Sequence, residues 1–138
     1  MQINKIEIVG AVVVLALLTF LTLPKCFRVL EQSKGIATKK GLSSLRSAIA
    51  VYYADNNGKY PGTNIAKDLV EKGYIEKIPY AYISHHNHKK SNYITTTNLD
   101  KNTDSGGWAY KVDDTPDSSG RTKGQIWINC SQGGWSKL

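Results

Sequence analysis

The chain has 138 residues and a net charge of +7, from 18 Lys and Arg against 11 Asp and Glu. That length holds one small domain with a modest core beside any long helix. The basic residues are scattered, with never more than two in a row, so the excess reads as a solvated basic surface and no nucleic-acid partner is expected.

From Ile8 to Leu23 the sequence runs sixteen residues without a charge, rich in Val and Leu. A helix rises ~1.5 Å per residue and a bilayer core is about 30 Å thick, so a straight span needs ~20 residues. Starting the helix at Ile3 reaches that length and places Glu7 inside the apolar segment. A carboxylate there costs on the order of 3 kcal/mol, which some partner must offset. Lys5 lies two positions away and does not face Glu7 on a helix, whereas its stem is long enough to reach headgroups.

Glu7 and Pro24, seventeen apart on an apolar helix that starts near Ile3, resemble the N-terminal segment of type IV pilins and type II secretion pseudopilins. The resemblance implies that Ile3 is the first mature residue, cleaved behind Gln2 and methylated. It also implies that Glu7 pairs with the N-terminal amine of a neighbouring subunit and that Pro24 kinks the helix. Two features depart from the family: Gln2 stands where its peptidase cuts after a glycine, and Asn4 and Lys5 stand where apolar residues are favoured. Lys25, Arg28 and Lys34 follow the span, and the positive-inside rule alone puts that side in the cytoplasm. The resemblance implies the reverse: a single pass of the inner membrane, N-terminus cytoplasmic and head periplasmic, followed by assembly into a filament. Residues 1–24 are then the transmembrane and filament-core half of the helix, and 25–138 the head.

Beyond Pro24, Leu42, Leu45, Ala48, Ile49 and Tyr52 recur at helical spacing, which predicts one helix from about Ile3 to Asp55 with an amphipathic second half. Gly35 and Gly41, interior glycines, mark with Pro24 the places where it bends. Asn56-Asn57-Gly58 ends it. The run Ala48 to Pro61, closing on Asp55-Asn56-Asn57-Gly58-Lys59-Tyr60-Pro61, resembles the helix end of pseudopilins and short pilins, with Tyr60 packing back under the helix and Pro61 fixing the exit. Thr63 or Asn64 caps a short helix, Ile65 to Lys72, with Ile65, Leu69 and Val70 as its apolar face and Gly73 as its stop. Its order before Ile78-Pro79 resembles the loop between helix and sheet in pseudopilins.

Residues 84–105 are polar and read as a surface loop with a short strand at Tyr93 to Thr97. Trp108 to Val112 and Gln125 to Asn129 alternate with period two, joined by a connector, Asp113 to Gly124, of hairpin composition. The expected fold is α+β and pilin-like: a long N-terminal transmembrane helix packed on a small antiparallel sheet whose edge needs cover.

Three groups invite chemistry. His85-His86-Asn87-His88 holds every histidine, but contiguous imidazoles on a loop lack the fixed geometry of a metal site. Asp113, Asp114 and Asp117 offer oxygen ligands to calcium; the resemblance implies a calcium site in this region, although the family's spacing is not reproduced. Otherwise no cofactor is expected. On a continuous helix Cys26 lies about 35 Å, at ~1.5 Å per residue, from the end where the head that holds Cys130 sits, far beyond the ~7 Å a disulfide tolerates between Cα atoms. Both are therefore free thiols or bonded between subunits. No nucleophile or phosphate-binding motif stands out, and catalysis is not expected.

The resemblance thus implies a structural subunit of a pseudopilus or type IV pilus, partnered by other pilins or pseudopilins, an inner-membrane assembly platform and the membrane. The alternative is a membrane-anchored periplasmic binding module that acts as a monomer and uses 84–105 as its contact surface.

Overall fold

A computed structural model describes residues 4–83, 88–97, 103–132 and 134–138, with the backbone alone at 21–24, 26 and 27. It is α+β. Helix α1 is Lys5–Asp55, α2 is Ile65–Glu71, strands β1, β2 and β3 are Ile94–Thr97, Trp108–Lys111 and Ile126–Ile128, and a 3-10 turn covers Trp135–Lys137. The chain divides into two units, one ending at Ser33 and the other beginning at Lys34.

The first unit holds the start of α1. Asn4 is its cap: the Asn4 carbonyl accepts the Glu7 and Ile8 N–H groups at 2.9 and 3.3 Å. The Asn4 N–H in turn donates to Glu7 Oε2 at 3.3 Å. This is the returning arm of a capping box, in which an acid three residues into the helix satisfies the N–H of the cap. The helix is continuous through Pro24, Gly35 and Gly41.

The expected transmembrane segment within residues 1–24 is corrected here. Among the described residues no helix is long and apolar enough to cross a membrane. The run ahead of Pro24, Ile8 to Leu23, is only sixteen residues, closed by Glu7 on one side and Pro24-Lys25 on the other. Such a run reaches ~24 Å at ~1.5 Å per residue, short of the ~30 Å of hydrocarbon. The single-pass inner-membrane placement, with its cytoplasmic N-terminus and periplasmic head, falls with it.

In the second unit the later half of α1 supplies one wall of the core. Leu42, Leu45, Ala48, Ile49 and Tyr52 are buried, as their helical spacing predicts, against Ile65, Leu69, Ile83, Ile94, Trp108, Tyr110, Ile126 and Ile128. Gly41 makes room for a close contact, and Gly35 lies beside the C-terminal turn. A Cβ on Gly41 would lie 3.0 Å from Pro79 Cβ and 3.4 Å from the Trp108 ring, and one on Gly35 3.6 Å from Trp135. The helix ends where expected: Asn56 Nδ2 donates to the Tyr52 carbonyl at 2.7 Å, and Asn57 and Gly58 take positive φ of 54° and 75°. Tyr60 then lies against Tyr53, ring centres 4.4 Å apart. In α2, Ile65 and Leu69 are buried, but Val70 is exposed and not part of the apolar face.

The sheet has the order β1-β2-β3. It is mixed, which corrects the expectation of an antiparallel sheet: β2 pairs β3 antiparallel, but β1 pairs β2 parallel, Ile94 opposite Trp108. The polar stretch between β1 and β2 is thus a return crossover and not a hairpin. Side chains tie the layers together. Trp108 Nε1 donates to the Pro79 carbonyl at 2.8 Å, and the buried Tyr110 hydroxyl donates to the Pro61 carbonyl at 3.0 Å. Burial pushes the Tyr110 hydroxyl far above the usual tyrosine range.

Candidate functional site

Between Ile8 and Phe20 helix α1 carries no charge, and its large apolar side chains are exposed. Val12, Val13, Val14 and Leu15 are four consecutive residues, and each is between 52% and 68% exposed. Successive positions on a helix are ~100° apart, so four in a row look in every direction. A helix that is hydrophobic on every side is stable when other apolar surface surrounds it. Ile6, Ile8, Leu17 and Phe20 extend the same exposure along the helix. Glu7 is exposed within this segment, and its carboxylate is engaged by the Asn4 N–H. Pro24 lies within the helix backbone. Ile3 and Gln2, where processing is expected, lie outside the described residues, as do the side chain of Cys26 and the whole of His85, His86 and Asn87.

The aspartates offered to calcium are not brought to a common point. Asp113 binds the nearly buried Lys111 Nζ at 2.8 Å, and the hydrogen bonds from Lys111 and then Thr115 hold its carboxyl below the usual range. Asp114 pairs with Lys123 at 3.6 Å, and Asp117 with Arg121 at 3.3 Å. Asp117 Oδ1 also accepts the N–H groups of Ser119 and Arg121, at 2.9 and 2.8 Å. Each carboxylate is thus committed to a cation, and Asp117 also to the turn that carries it. This donor set does not fit calcium, which takes six to eight oxygens around one point.

The loop that holds them is organised by Arg121. Its guanidinium lies 4.3 Å from the Trp127 ring centre and donates through Nη2 to the Ser136 carbonyl at 2.6 Å. Nearby, Arg46 of α1 donates to the carbonyls of Ile126, at 3.2 Å, and Leu138. These ties fasten the last strand and the C-terminal turn to the helix.

One cluster was not legible in the sequence. Among the described residues, His88, Asp104 and Cys130 place one nitrogen, one oxygen and one sulfur within 4.8 Å of one another. They come from three separate loops, and sequence proximity, the only available signal, gave no reason to group them.

The chain was compared with protein-family models, with curated proteins and with solved structures. No match is found in any of the three.

Proposed function

We propose that the chain is the structural subunit of a helical filament of the pilin or pseudopilin kind, which assembles through the first half of α1. One observation carries this reading: a continuous helix whose later half is one wall of a folded core, while Val12 to Leu15 in its earlier half expose apolar side chains in every direction. Packed among equivalent helices of other copies, that surface contributes ~25 cal/mol per Å² of apolar area removed from water, enough to hold a fibre without covalent links. The partners are copies of the same chain and other pilin-like subunits, and the role is structural rather than catalytic. The Glu7 carboxylate then exchanges its exposed Asn4 N–H contact for a cation of a neighbour, the condition for burying a charge at low cost. The small second unit favours a pseudopilin over a pilus subunit. The tethered-module alternative needs a membrane anchor, and among the described residues no helix is long and apolar enough to supply one.

The test is complementation in a strain lacking the wild-type copy. Glu7→Ala and Val13→Asp variants should accumulate folded but yield few or no filaments by electron microscopy, while Glu7→Gln gives an intermediate number. Wild-type filament yield from the Val13→Asp variant would overturn the reading.

A further inference from the structure

Three potential metal ligands meet at one end of the sheet, independently of any role in filaments. β2 and β3 are antiparallel, so the start of β2 and the end of β3 lie together, Trp108 opposite Ile128. The pairing continues beyond the strands: the Gly106 N–H donates to the Asn129 carbonyl and the Asn129 N–H to the Gly107 carbonyl, both at 3.0 Å. Asp104, just ahead of this pair, is thereby set beside Cys130, just after it. His88 enters from the segment before β1 and packs on Gly106, where a Cβ would lie 3.2 Å from His88 Cβ. His88 Nε2 is 3.4 Å from Asp104 Oδ1.

We propose that His88, Asp104 and Cys130 bind one divalent transition-metal ion of the zinc class through nitrogen, oxygen and sulfur, with a fourth position open to water. Zinc bonds of ~2.0–2.3 Å in tetrahedral geometry put ligand atoms roughly 3.3–3.6 Å apart. The nitrogen and oxygen already stand at that separation, and the sulfur lies within a side-chain adjustment of it. Imidazole and thiolate select against calcium and magnesium, which take oxygen ligands. On binding, the Cys130 S–H bond breaks, its proton goes to solvent, and the sulfur electron pair goes to the metal. Thiolate and carboxylate then balance the two positive charges of the ion.

The surroundings hold the ligands in place, as outer partners do in metal sites. The Ser131 N–H donates to Asp104 Oδ1 at 2.9 Å, the same oxygen that stands 3.4 Å from His88 Nε2, and leaves that oxygen's second lone pair for the metal. Asn129 Nδ2 donates to Thr103 Oγ1 at 2.7 Å and to Ser105 Oγ at 2.9 Å, gripping the residues on both sides of Asp104. Asp104 itself takes φ of 51°, a left-handed conformation rare for a side chain other than Asn or Asp.

The same three residue types also make nucleophilic triads, but the cysteine here is wrong for that role. Cys130 is fully buried, its sulfur rests 3.7 Å from the Gln132 carbonyl, and burial pushes its thiol up. A protonated thiol without access to solvent is a poor nucleophile. A bound cation reverses that preference directly.

The experiment uses the full chain with Cys26→Ser, so that Cys130 is the one thiol, freed of metal by dialysis against a chelator. Titration with cobalt(II) should give a thiolate-to-cobalt charge-transfer band in the near ultraviolet that saturates at one ion per chain. Zinc should displace the cobalt and calcium should not. Asp104→Asn, which keeps shape, and His88→Ala should each weaken zinc binding at least ~100-fold, the upper end of what loss of an outer partner costs. Tryptophan fluorescence confirms that each variant is folded. No charge-transfer band in the folded protein overturns the proposal. So does zinc affinity unchanged within ~3-fold in both variants, whatever the spectrum.

Discussion

The backbone N–H of Tyr82 donates to the side-chain oxygen of Thr38 at 2.8 Å. That oxygen also lies 3.0 Å from the Tyr82 carbonyl and 3.0 Å from the Lys34 carbonyl of its own helix. Thr38 is fully buried, so one hydroxyl joins α1 to the segment ahead of β1 where no water competes. Replacing it by the isosteric Val should leave the Tyr82 N–H without its partner and cost about 1–3 kcal/mol. Thr38→Ser keeps the bond and should cost about 1 kcal/mol for the lost methyl group. Urea unfolding midpoints of the two variants check the order, and Val equal to or better than Ser would refute it.

Gly124 and Tyr60 set a second constraint. Gly124 has φ of +88°, and a Cβ there would lie 2.3 Å from the Tyr60 ring. Gly124→Ala should therefore destabilise by about 2 kcal/mol or more, from the clash and the backbone together. In a Tyr60→Ala background the clash is gone, and only the ~1–2 kcal/mol of left-handed strain remains. A double-mutant cycle by chemical denaturation measures the difference, and strict additivity would show that the ring does not abut the glycine.

The Lys111–Asp113 pair predicts an acid limb. The folded carboxyl of Asp113 lies below its ordinary range because of the Lys111 hydrogen bond. A depressed folded pKa gives stability that is fully present above the unfolded pKa, near 4, and is lost as pH falls through the folded value. Stability should thus decline below about pH 4, and Asp113→Asn should flatten that decline while lowering stability at pH 7, because Lys111 Nζ remains nearly buried without its anion. Thermal melts between pH 2 and pH 7 read both effects; an identical slope in wild type and variant would exclude the pair as its source.

The second unit should stand alone. A fragment beginning at Lys34 retains the core face of α1 and all three strands, and it should melt cooperatively and sediment as a monomer. The full chain, which adds the uncovered apolar half of α1, should self-associate as concentration rises. Broad, non-cooperative melting of the fragment would mean that its core needs the preceding residues.

Legibility in the sequence followed the range of the interaction. The buried face Leu42 to Tyr52 and the left-handed exit at Asn57 and Gly58 are local patterns, and both are legible in the sequence. β2 and β3 were read from alternation, but alternation implied one solvated face, whereas both strands are buried throughout. Lys111 sits in that buried register only because Asp113, two residues on, turns back to meet its ammonium. The parallel placement of β1 and the meeting of His88, Asp104 and Cys130 depend on how loops return, which no period encodes. The apolar run before Pro24 reaches the length of a membrane span only by adding Ile3 to Glu7, and that addition brings in the charges of Lys5 and Glu7.

The ties from α1 to β3 and the C-terminal turn bear on the order in which a growing chain can mature. Arg46 binds carbonyls of Ile126 and Leu138, and Leu45 and Ile49 share a core with Ile126 and Ile128. On the ribosome the amphipathic helix emerges well before the strand that seals it. Until then a greasy flank waits in the open, the state in which partly made chains associate wrongly. A chain cut ahead of Ile126 should thus be one that chaperones hold and proteases clear, in place of a slightly weakened fold.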